Sequence, residues 1–89
     1  SEMVESVLIT SLEKDKDGDI TETTIEVIKE ITFESIKEGS LNTIRIRKIL
    51  STILIAAIEV AEATPTRADE MLKATIKGMR SGLVKSIAR

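Results

Sequence analysis

Residues 41–65 read LNTIRIRKILSTILIAAIEVAEATP, and whether this run is strand or helix decides the fold. Its many isoleucines have the branched shape that suits strands. A half-buried strand, however, needs apolar and polar residues to alternate over about four to eight positions. Here Ile46, Ile49, Leu50, Ile53, Leu54, Ala57, Ile58, Val60 and Ala61 recur three or four residues apart instead. That is helical spacing, and it covers more than half of a helix circumference. Such a helix, expected over residues 41–63, belongs in the middle of a bundle, with neighbours on several sides. Arg45, Lys48, Thr52 and Glu59 leave it a narrow solvent strip. Pro65 ends it, lacking the N–H a continuing helix needs and fitting the first turn of the next.

Working outward, the next helix is expected over residues 65–88, burying Ala68, Leu72, Thr75, Ile76, Met79 and Leu83. A start one turn later, with Thr66 as cap, is nearly as good. A second stripe runs beside the first, with Ala74, Gly78, Gly82 and Ser86 four residues apart. Glycine inside a helix costs about 1 kcal/mol relative to alanine, so two of them imply the close approach of another backbone. That neighbour is a helix either of this chain or of a second copy.

On the other side of the opening run, Gly39 is expected as a left-handed helix stop and Ser40 as the next N-cap. Before them lies a helix over residues 20–38, with Ile20, Thr24, Val27, Ile28, Ile31 and Ile36 on one side and charged residues on the other. A first helix spans residues 2–14, with Val4, Val7 and Leu8 inward. All links are short, which makes successive helices antiparallel neighbours. The expectation is a single all-α domain over residues 1–89, an up-down four-helix bundle or two packed helical hairpins. It stands either alone or as a fragment of a longer chain. A faint overlay of IKEITFESIK (28–37) on IKGMRSGLVK (76–85) fits two related hairpins, although apolar periodicity alone produces part of it.

Composition then removes classes of chemistry. With no cysteine there is no disulfide, thiolate nucleophile or soft-metal site, and with no histidine the usual base near neutral pH is missing. No Ser-His arrangement can exist. The reading is of a non-enzymatic protein without a cofactor. The longest uncharged run, ILSTILIAAI at 49–58, is ten residues, against the roughly 20 that span a bilayer. Together with an acidic N-terminus lacking the pattern of a secretory signal, this points to the cytoplasm. Residues 1–38 carry eleven acids and four bases, whereas residues 66–89 carry six bases and two acids. The two ends can therefore attract each other, within one molecule or between two.

The stretch EKDKDGDITE (13–22) raises one alternative. Asp15, Asp17, Asp19 and Glu26 match positions 1, 3, 5 and 12 of an EF-hand calcium loop. Position 6, where that loop turns on glycine, is Ile20. The residues also fit a plain turn in which Asp19 caps the second helix and Glu22 completes a capping-box-like pair. Phe33, the only aromatic, projects from the charged side as a candidate partner contact or as a residue the fourth helix covers. Lys73, Lys77 and Arg80 form a basic strip, with Lys85 and Arg89 nearby. Nucleic-acid binding is not expected from an acidic chain with no aromatic stacking platforms.

The function expected is association, as a homo-oligomer (a dimer) or with another protein, through Ala74, Gly78 and Gly82 and the apolar face of the third helix. Phe33 is a further contact candidate. A calcium-responsive module acting through the DKDGD loop is the alternative.

Overall fold

A computed structural model describes residues 2–14, 20–39 and 41–88, with side chains described for 4–10, 22–39 and 41–88. Four α-helices pack against one another: α1 (Glu2–Lys14), α2 (Ile20–Lys37), α3 (Thr43–Ala63) and α4 (Ala68–Ala88). No strand occurs among the described residues. The helical spacing of the 41–65 run therefore outweighs its β-branched composition.

The arrangement is that of two helical hairpins laid side by side. α1 lies beside α3 and α2 beside α4, while α3 also touches α2. Among the described residues α1 and α4 do not meet, so the helices do not close a ring in chain order. α2 and α4 run parallel: Gly78 lies on Ile25 and Ile28, and Gly82 lies on Lys29 and Thr32. One core joins Val4 and Leu8 of α1, Ile28 of α2, Ile53, Ala57 and Val60 of α3, and Met71 and Met79 of α4. α3 touches all three other helices, yet Ile44, Ile55 and Ile58 stay exposed. The fold leaves apolar surface of α3 uncovered.

The junctions differ from expectation in instructive ways. Among the described residues no glycine has positive φ, so Gly39 is not a left-handed stop. α2 is instead closed by a side chain from α3. The Arg45 guanidinium donates from Nη1 to the Ile36 carbonyl at 3.0 Å and from Nη2 to the Ser35 carbonyl. Last-turn carbonyls fall outside the regular helical pattern, and a cation there also suits the helix dipole; the Ile36 oxygen accepts from the Gly39 N–H as well, at 3.3 Å. Arg45 thus leaves the solvent strip in which its sequence position placed it. Gly39 makes room for it, since a Cβ there would lie 2.7 Å from Arg45 Cζ.

Asn42, rather than Ser40, caps α3: its Oδ1 accepts from the N–H groups of Ile44 at 2.9 Å and Arg45 at 3.1 Å. α3 accordingly begins at Thr43, two residues after the expected start. At its far end Thr64 turns back, its hydroxyl donating to the Val60 carbonyl at 2.9 Å. Pro65–Arg67 forms a 3-10 turn before α4 begins at Ala68. Helical turning thus opens at Pro65, and α4 itself starts one residue after the start that a Thr66 cap implies.

The faint overlay of 28–37 on 76–85 finds no echo in burial. Ile28 is fully buried, whereas its counterpart Ile76 is 48% exposed.

Candidate association surfaces

The small-residue stripe of α4 is the more deeply buried of the two; of the larger stripe, Thr75 and Met79 are buried as expected. Met71, Ala74, Gly78, Gly82 and Ser86 are buried, whereas Leu72 and Leu83 are only half-buried and Ile76 is exposed. The cause is the size of the small residues, which let α2 approach until backbone meets backbone. A Cβ on Gly78 would lie 2.7 Å from Ile28 Cβ and 2.8 Å from the Ile25 carbonyl oxygen. On Gly82 it would lie 2.6 Å from the Lys29 oxygen and 2.7 Å from Thr32 Cβ. From α2 the matching row is Thr24, Ile28, Thr32 and Ile36, all buried. Rows spaced four residues apart on both helices are the ridges that intercalate in close helix packing.

The neighbour implied by the two glycines is therefore this chain's own α2, and the face expected to meet a second copy is occupied. Thr32 belongs to this seam although the sequence reading left it out. Its four-residue spacing from Ile28 and Ile36 was the available signal. Thr24 and Thr32 bring hydroxyls into the seam that find no hydrogen-bond partner among the described residues.

Phe33 lies at the edge of the same seam. Lys85 of α4 sits over its ring, Nζ 4.3 Å from the centroid, and also bonds Glu30 Oε1 at 3.2 Å. Lys37 approaches the ring at 5.4 Å. The ring is half-buried, and α4 supplies its cover through a lysine stem and ammonium. Ala74, Gly78, Gly82 and Phe33 are thus brought together, all at the α2–α4 contact.

Of the calcium candidates, Asp15, Asp17 and Asp19 lie outside the described residues. Glu26 is exposed on α2. The segment Ile20–Glu26 is helical, whereas an EF-hand loop turns sharply on glycine at position 6 and then supplies a backbone carbonyl ligand at position 7. Ile20 at position 6 already starts a helix, which leaves the loop reading without that turn. Among the described residues no cluster of three metal-ligating side chains occurs.

The surface that does remain open is a groove between α3 and α4. It has a volume of about 460 Å³ and is lined by Ile46, Leu50 and Leu54 from α3 and Met79 and Leu83 from α4. The exposed residues Ile58, Ile76 and Ile87 extend these rows at helical spacing. A smaller hollow of about 250 Å³ lies where Val4, Ile31, Ile49 and Ile53 meet, with Lys48 at its wall. No described helix is long and apolar enough to cross a membrane.

No protein-family model matches the chain, and no curated protein or solved structure shows significant similarity to it.

Proposed function

We propose that this chain is a non-enzymatic helical module that works by association, and that its working surface is the open α3–α4 groove. The carrying observation is the open groove lined by Ile46, Leu50, Leu54, Met79 and Leu83, whose rows the exposed Ile58, Ile76 and Ile87 continue at helical spacing. Isolated apolar side chains on a surface are ordinary, but a contiguous apolar groove marks a contact site. The association expected of the Ala74, Gly78 and Gly82 side is assigned to this face instead, because α2 fills that stripe. The absence of histidine and cysteine supports a role without catalysis. The lack of a membrane-crossing helix among the described residues is compatible with action in the cytoplasm.

The test is site-specific photo-crosslinking in cells, with a photoreactive residue at Ile76 or Ile87 and a control at Glu26 on the outer side of α2. Adducts with a second copy or another protein are expected from the groove positions and not from the control. Equal labelling from all three, or none, would remove this reading.

A further inference from the structure

The groove's shape and rim identify the chemistry of its occupant. Its floor is a trough between two antiparallel helices, and the complement of a trough is a ridge, such as a third helix provides. The molecule already contains one such seating: α3 lies against both helices of the α1–α2 hairpin. α2 lies against both α3 and α4 on one side of their hairpin; the groove opens elsewhere between these two helices and is lined, among the described residues, by α3 and α4 alone.

The rim is basic. Arg47 lines the groove on the α3 side. On α4, Arg80 follows the exposed Ile76 by one turn, with Lys73 and Lys77 beside it; all are exposed. Lys73 pairs with Asp69 at 3.1 Å, whereas Arg47, Lys77 and Arg80 form no ion pair among the described residues. A second copy seated groove to groove would bring like charges together, which is unfavourable across an interface. A flat anionic lipid surface would match the charge but not the concave floor.

The geometry points to an acidic amphipathic helix of a partner chain as the occupant. Its apolar residues would recur every three or four positions along the trough, and glutamates or aspartates on its flanks would meet Arg47, Lys77 and Arg80. This is helix-in-groove recognition, with apolar anchors for affinity and rim charges for selection. It rests on the association reading above and adds the partner's chemistry.

The test uses two labelled synthetic helices with the same leucine pattern, one flanked by glutamate and one by lysine. Both are titrated by fluorescence anisotropy into the purified chain, alongside phosphatidylserine vesicles. The glutamate helix is expected to bind, more weakly as salt is raised, and the lysine helix to bind at least roughly tenfold more weakly. Arg47→Glu with Arg80→Glu, both surface changes that leave the core untouched, should reverse that preference. Ile76→Ser with Ile87→Ser should weaken both peptides. Equal binding of the two peptides, no binding of either, a preference unmoved by the arginine reversals, or binding to vesicles alone would each overturn the proposal. Should the peptides fail while crosslinks still form at Ile76 and Ile87, the association surface stands and only the acidic helix falls.

Discussion

Replacing Gly82 by alanine sets two effects of known sign against each other. Alanine is the better helix former by about 1 kcal/mol, so on propensity alone the variant gains stability. In the folded chain, however, the new methyl would sit 2.6 Å from the Lys29 carbonyl oxygen, where ordinary Cβ contacts begin at 3.4 Å. α2 and α4 must therefore part by about 0.8 Å. The obstructing atom belongs to helical backbone and cannot rotate away. Overpacking of this kind costs about 1–3 kcal/mol, and a rigid obstacle places the cost near the upper end. The net expectation is destabilisation by about 1–2 kcal/mol, or a Tm lower by roughly 4–8 °C per kcal/mol in a domain of this size. Urea unfolding followed by circular dichroism measures it. The isolated peptide 68–88 serves as control, since without α2 the same change should raise its helicity. A full chain stabilised by the bare propensity gain would refute the close approach of α2 and α4.

Other changes probe the remaining contacts. Thr32→Val keeps the branched shape against Gly82 while removing a buried hydroxyl with no partner among the described residues, so unfolding should show a gain of about 1 kcal/mol; a loss would mean that the hydroxyl has a partner. Arg45→Gln removes the guanidinium that closes α2, and about 1 kcal/mol should be lost for this half-exposed side chain. Faster amide exchange should accompany it at the end of α2, and unchanged exchange there would contradict the capping role. Leu8→Ala deletes the fully buried anchor of α1 at a cost of about 2–5 kcal/mol; an unaltered unfolding midpoint would show that α1 is not docked. Calorimetric titration with calcium should show no micromolar site, because Ile20–Glu26 is helical; a tight site would restore the loop reading.

Much of the fold was legible because apolar spacing along the chain reports which side of each segment faces inward. The three-and-four pattern of Ile46 to Ala61 marked α3 as helix, and Pro65 marked its limit. Side-chain size on α4 was also legible: two interior glycines required a close neighbour. What the pattern could not give was that neighbour's identity, since a stripe of small residues fits a helix of the same chain and one of another equally well. The outcome depends on how the hairpins lie side by side, a matter of the whole core.

The caps show the same division. Gly39 suggested where α2 would end, but the Ser35 and Ile36 carbonyls there accept from Arg45, which only tertiary packing brings to them. For the candidate site the limit was sharper. Ile76 and Leu83 fall on a perfectly regular apolar stripe, and periodicity assigned them to the core. The structure leaves that stripe at the edge of an open groove, because the small-residue side of α4 packs closer and claims α2. By itself the sequence determined four helices and their apolar sides, since local spacing acts within a few residues. Which apolar side is covered, and which is left for a partner, was decided by competition among surfaces distant in sequence, and only the folded chain resolves it.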